Sequence, residues 1–143
     1  MNVMDSLSTA KSFPLWLENR NDKTDNRPRL NGDQSVDVAI VGGGFSGLWT
    51  AYYLLKHSPS TRVLVIEKNF CGYGASGRNG GWCKGSVAGG ANRYAALSSF
   101  DKVNKLQSAM FDAVDEIGFV AANERIACGF EKNGLVRVAR NRA

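Results

Sequence analysis

Residues 38–47 read VAIVGGGFSG: a short β-branched apolar run breaks into three consecutive glycines, and a helix-like pattern resumes at once. Adjacent glycines give up packing and raise the entropy lost on folding, so they persist where backbone must turn sharply or be approached closely. The flanks narrow the choice. VDVAIV, residues 36–41, is almost continuously apolar, as a strand buried on both faces of a parallel sheet is. After the glycines, Leu48, Ala51, Tyr52, Leu54 and Leu55 recur at helical spacing up to His57, and SPS at 58–60 ends that helix. RVLVIEK, residues 62–68, then predicts a second buried strand. Strand, turn, helix and strand within about thirty residues form a βαβ unit with a right-handed crossover.

Inside that unit Gly42, Gly44 and Gly47 match G-x-G-x-x-G. Gly42 permits the tight turn, Gly44 lets backbone approach a pyrophosphate, and Gly47 lets the helix lie close to the strand, with Ala51 small on the same helix. A pyrophosphate there meets the free N–H groups and the positive dipole end of the helix. Gly43 reads as added flexibility only. Glu67 follows Gly47 by about twenty residues at the end of the second strand, where a carboxylate accepts the ribose hydroxyls of an adenosine. The spacing therefore predicts a dinucleotide site. An acid at this point disfavours NADP, whose 2′-phosphate it repels.

FAD and NAD share the adenosine diphosphate half, so the first loop does not separate them. Residues 72–90, GYGASGRNGGWCKGSVAGG, hold half of the sixteen glycines and suit neither a regular helix nor a buried strand. Within them GASGRNGG, residues 74–81, offers backbone N–H groups, the Ser76 hydroxyl, the Arg78 cation and the Asn79 amide, the donor set a flavin's ribityl chain and ring require. Arg78 also has a plainer reading as a solvated loop cation.

Beyond this loop Leu97, Phe100, Val103, Leu106, Met110, Val114 and Ile117 step by three or four residues. That spacing predicts one long amphipathic helix over about 92–117, stopped by Gly118, its apolar stripe packed in a core. Asn133-Gly134 lies between two extended segments and predicts a β-hairpin. At the other end, residues 1–35 are polar and carry Pro14 and Pro28, apart from Phe13, Leu15, Trp16 and Leu17, which suit an arm with one docking anchor.

Composition removes other classes. A 43% hydrophobic content in 143 residues fits one folded domain. The net charge of +5 is scattered rather than gathered with aromatics into a basic stripe, which argues against nucleic acid. Cys71, Cys83 and Cys128 are odd in number and far apart, with no CxxC pair, so they read as reduced core residues and not as a metal site. No basic segment leads into an apolar one near the start, and no apolar run is long enough to span a bilayer; the default compartment is the cytoplasm.

Taken together, VDVAIVGGGFSGLWTAYYL, VLVIEK and GYGASGRNGGW resemble the N-terminal portion of the FAD-dependent D-amino-acid oxidase family, nearest the branch that includes γ-glutamylputrescine oxidase. The resemblance covers roughly residues 13–139 and implies FAD rather than NAD. It also implies an α/β fold: the N-terminal part of a Rossmann-like FAD-binding domain, then a long helix and the start of a β-rich substrate domain. By motif position it implies cofactor contacts from Gly42, Gly44, Phe45, Ser46 and Gly47, then Glu67 and Lys68, then Ala75, Ser76, Gly77, Arg78, Asn79, Gly80 and Gly81. Some relatives attach flavin through a histidine in the second loop. None stands there, His57 being the only one, which implies non-covalent FAD.

The chemistry implied is oxidation of a C–N bond in a small amine or amino acid: hydride leaves the carbon bearing the amine for the flavin, and the resulting imine hydrolyses. The expected division is an arm at 1–35, an FAD-binding part at 36–118 and the opening of a substrate domain at 119–143. Only one strand pair of a dinucleotide fold is legible, so the chain reads as an N-terminal fragment lacking the catalytic residues and inactive by itself. A truncated nucleotide-binding module without turnover, or an NAD-dependent dehydrogenase, are the alternatives to this reading.

Overall fold

The computed structural model describes Trp16, residues 27–136 and Val138. Phe13, Leu15 and Leu17 of the expected arm lie outside the described residues, as do Arg137 and Ala139. The chain divides into two compact units, Met1–Gly81 and Trp82–Ala143.

In the first unit, strand β1 (Val38–Val41) leads into helix α1 (Phe45–His57) and strand β2 (Val63–Ile66). The strands pair in parallel, with Val38 opposite Val63 and Val41 opposite Ile66. Their β-branched residues suit the pleat, and the crossover through α1 is what lets consecutive strands run the same way. The first rung is reinforced by charge: Arg62 donates from Nη2 to Asp37 Oδ1 at 2.9 Å, and the Arg62 backbone N–H donates to Asp37 Oδ2 at 2.8 Å. This arginine holds the Asp37 carboxyl below its usual range. The pair ties the strands at the end away from the glycine turn. Burial differs from the expected two-sided kind: β1 alternates between half-buried and exposed residues, and Val41 is 87% exposed.

The second unit carries helices α2 (Ala91–Leu97) and α3 (Phe100–Asn123), which pack on each other. One continuous helix over 92–117 was the expectation from periodicity, and the structure corrects it twice. Ser98 and Ser99 interrupt it, because Ser99 leaves helical geometry and caps the next helix, its Oγ accepting the Lys102 N–H at 3.3 Å. At the far end α3 runs through Gly118 to Asn123. Gly118 is not a stop: a Cβ there would fall 2.5 Å from Phe130 Cε1, so the missing side chain admits the Phe130 ring against the helix. Of the apolar stripe, only Val103 is buried, while Leu97 and Phe100 are well exposed. The buried hydrophobic residues among those described are Val103, Val120 and Ala121.

No strand forms over 126–136 or at Val138, so the expected hairpin is absent among the described residues. Gly134 does take a turn geometry, φ +81°, but Leu135, Val136 and Val138 beyond it are exposed and unpaired with any strand. The cysteines also differ from expectation. All three are free, as expected, yet all three are exposed rather than packed in a core.

Candidate dinucleotide site

The end of β1 is held by Gly42, whose N–H donates to the Ile66 carbonyl at 2.7 Å before the chain turns at φ +103°. That left-handed geometry is one a side chain resists. Gly44 is extended and caps α1, with its carbonyl accepting the Leu48 N–H at 3.0 Å. Gly47 closes the turn: a Cβ there would lie 2.1 Å from the Gly42 carbonyl oxygen and 3.2 Å from Ile40 Cγ2. The roles read from spacing for Gly42 and Gly47 thus correspond to a sharp turn and a helix–strand approach.

Gly43 has a larger part than flexibility. Its N–H donates to Glu67 Oε2 at 2.8 Å, its carbonyl accepts the Gly72 N–H at 2.9 Å, and a Cβ would meet Cys71 Sγ at 2.7 Å. It is the point where β2, the first glycine turn and the second loop converge. The other Glu67 oxygen, Oε1, accepts the Asn69 N–H at 3.0 Å. Backbone donors from Asn69 and then Gly43 hold the Glu67 carboxyl below its usual value, so it is ionised at neutral pH.

The second loop repeats the first turn. Gly72-Tyr73-Gly74-Ala75-Ser76-Gly77 has the same G-x-G-x-x-G spacing. Gly72 has φ +85°, Gly74 is extended and caps a short 3₁₀ turn at Ala75–Gly77, and a Cβ on Gly77 would lie 2.1 Å from the Gly72 oxygen. The donor segment read from the sequence began at Gly74 and the contacts implied by resemblance at Ala75, and neither included Gly72 and Tyr73. The repeated spacing was the signal available to find them.

Ser76 joins the two turns. Its Oγ accepts the Phe45 N–H at 2.9 Å and lies 2.9 Å from where a Gly44 Cβ would be. Gly44 therefore makes room for a hydroxyl as well as for backbone. Since Ser76 Oγ accepts this bond, its own proton remains for donation.

Further along, Asn79 Nδ2 donates to the Ser76 carbonyl at 2.6 Å, and Asn79 Oδ1 accepts the Gly81 N–H at 2.7 Å. Arg78 turns back on its own loop, donating from Nε to the Tyr73 carbonyl at 2.8 Å with its guanidinium 4.8 Å from the Tyr73 ring centre. The side chain is thus folded back on its loop in an exposed position, which leaves the solvated-cation reading standing. Lys68, Ala75 and Gly80 are exposed, and nothing crowds Gly80. Ser46 accepts the Thr50 hydroxyl with its carbonyl at 2.7 Å.

The structure therefore brings Gly42, Gly43, Gly44, Phe45, Glu67 and Ser76 together at the N-terminus of α1. The fit to a dinucleotide rests on donor chemistry. Oxygen atoms of Glu67 and Ser76 already sit on the Gly43 and Phe45 N–H groups, which shows that the turn takes oxygen acceptors. Ser46 and Gly47 lie in the first helical turn, where N–H groups lack intrahelical partners, and that turn carries no acidic residue of its own; the Glu67 carboxylate beside it is held on the Gly43 and Asn69 N–H groups. A separate cavity of about 470 Å³ is lined by Trp49, Thr50, Tyr53, Leu54, His57 and Ser58, none of them expected to contact the cofactor. Among the described residues no group of three or more His, Cys, Asp and Glu could hold a metal ion. No helix there is long and apolar enough to cross a membrane.

Comparison with known proteins finds relatives and a family by sequence. Gamma-glutamylputrescine oxidoreductase of Escherichia coli (strain K12) is 33% identical over 74% of this chain and 24% of its own length. Probable oxidoreductase OrdL of Haemophilus influenzae is 32% identical over 80% of this chain and 26% of its own. Sarcosine oxidase subunit beta of Rhizobium meliloti is 60% identical over a shorter stretch, 30% of this chain and 10% of its own. The chain thus spans about a quarter of the length of the first two relatives. No solved structure matches it significantly. Residues 37–143 match the family described as FAD dependent oxidoreductase, DAO, and on this match the chain belongs to that family, whose cofactor is FAD rather than NAD.

Proposed function

We propose that a protein carrying these residues oxidises the C–N bond of a small amine or amino acid, and that this chain holds the ADP and pyrophosphate half of its FAD. The observation that carries the reading is the meeting of both glycine turns and Glu67 at the start of α1. In this reading the Ser46 and Gly47 N–H groups of α1 and the Ser76 hydroxyl bind the pyrophosphate, the Phe45 N–H being used on Ser76. Glu67, ionised and already fixed by two backbone donors, accepts from the adenosine ribose, with Lys68 beside it. Residues 75–81 line the path toward the flavin. Bound there, FAD supplies the two-electron acceptor that no side chain provides. The amine class is supported by the names of the relatives, which speak of gamma-glutamylputrescine and of sarcosine.

The test is anaerobic reduction of an FAD-loaded protein of the relatives' full length that carries these residues. Amines or amino acids are expected to bleach the flavin absorption, with NADH and NADPH without effect. Bleaching by the nicotinamides alone would contradict the proposal.

A further inference from the structure

We infer that Trp16 is a positioning residue, strapping the far end of the second glycine loop in place and so setting affinity for the flavin half of the cofactor. The inference rests on the FAD reading above and adds a residue from outside the glycine motifs. Its indole Nε1–H donates to the Asn79 carbonyl at 2.8 Å across a separation of 63 residues. The six-membered edge of the ring lies over Gly81: Cζ2 and Cη2 are 2.9 and 3.0 Å from where a Cβ would stand, and Gly81 has φ +76°. Only glycine allows that contact.

The bonds already described within residues 73–81 join near neighbours and do not fix the loop to anything else. Its front is anchored to the first turn by Gly72 N–H on Gly43 and by Ser76 on Phe45. Trp16 anchors the back. From the indole a continuous set of bonds runs through Asn79 to Ser76 and on to the Phe45 N–H at the start of α1. A loop ordered before its ligand arrives loses less conformational entropy on binding, so a strap here strengthens binding without a contact of its own to the cofactor.

The ADP half meets the first turn, Glu67 and Ser76, which is held on the Phe45 N–H without Trp16, whereas residues 79–81 lie farther along the second loop. The two ligands therefore separate positioning from general support of the fold. The experiment titrates the full chain and its Trp16→Phe and Trp16→Ala variants with FAD and, separately, with ADP, and follows amide exchange over residues 72–81 without ligand. Trp16→Ala is expected to weaken FAD about tenfold while changing ADP by less than about twofold. Trp16→Phe keeps a ring near Gly81 but has no N–H, and falls between. The Gly81 amide exchanges faster in Trp16→Ala.

Equal loss of FAD and ADP would show that Trp16 only supports the fold, and unchanged FAD affinity would show that it positions nothing; either result overturns the inference. If the unaltered chain does not bind FAD, the cofactor reading fails by itself. The strap is then decided by exchange: faster exchange at Gly81 in Trp16→Ala sustains it, and an unchanged rate overturns it.

Discussion

Gly47 and Gly77 are each blocked from carrying a side chain by a carbonyl 2.1 Å from the Cβ position, and in neither case is the obstacle a flexible side chain that can swing away. Gly47→Ala is therefore expected to force the turn open at a cost of about 1–3 kcal/mol, read as a lower denaturant midpoint, with loss of dinucleotide binding. Glu67 carries a pH dependence whose sign follows from its partners. Its folded pKa lies below the unfolded value, so the stabilisation is present above the unfolded pKa and is lost as pH falls through the folded one. Glu67→Gln is expected to remove that part of the acid sensitivity, and the Gly43 and Asn69 amide shifts should stop titrating with it. Asp37 contributes with the same sign through Arg62, and that part should survive in Glu67→Gln. Much of this scale was legible beforehand. Gly42, Gly44, Gly47 and Glu67 are set by a local turn and a fixed spacing. Gly43 was not legible, because its partners Glu67, Cys71 and Gly72 are remote in sequence and its importance lies in convergence.

Short-range pattern gave the right elements at β1, α1 and β2, and the wrong ones at Ser98-Ser99, Gly118 and Asn133-Gly134, where local signals were overridden by a cap, a packed ring or missing strand partners. β1, α1 and β2 sit between glycine, proline and serine signals, and the structure keeps all three, shorter for the strands. The apolar spacing of Leu97, Phe100 and Val103 carries straight across Ser98 and Ser99, so periodicity hides the cap that divides α2 from α3. The second turn at 72–77 escaped for another reason: only a three-residue 3₁₀ turn follows it, which leaves no periodic signal to confirm the glycines. Gly118 tests how far packing overrides propensity. Alanine in a helix interior gains up to about 1 kcal/mol over glycine. Here its Cβ would press on the Phe130 ring. Gly118→Ala is thus expected to be neutral or destabilising in the unaltered chain and stabilising in a Phe130→Ala background. A stabilising effect of equal size in both backgrounds, measured by chemical denaturation, would remove the ring contact from the account.

Among the described residues, apolar surface outweighs core. Besides the three buried hydrophobic residues, Val41, Trp82, Leu97, Val136 and Val138 are each more than four-fifths exposed, and the described sheet has two strands. Such a chain is expected to be marginally stable without ligand and to gain stability with the logarithm of ligand concentration above Kd, because binding to the folded form shifts the folding equilibrium. A melting midpoint that rises more with FAD than with NAD at equal concentration is the expected pattern. The hairpin expected at Asn133-Gly134 belongs to this scale too. The turn residue has the right backbone sign, but a hairpin needs partners to cover its apolar face, and Leu135, Val136 and Val138 have none among the described residues. The most direct test of the central claim is equilibrium binding of FAD to the purified protein, by flavin fluorescence or calorimetry, beside Gly44→Val and Glu67→Arg. The account predicts saturable FAD binding, with both substitutions abolishing it or weakening it at least about a hundredfold, as removal of the phosphate approach and reversal of the ribose-reading charge require. Absence of FAD binding, or binding that neither substitution disturbs, would contradict it.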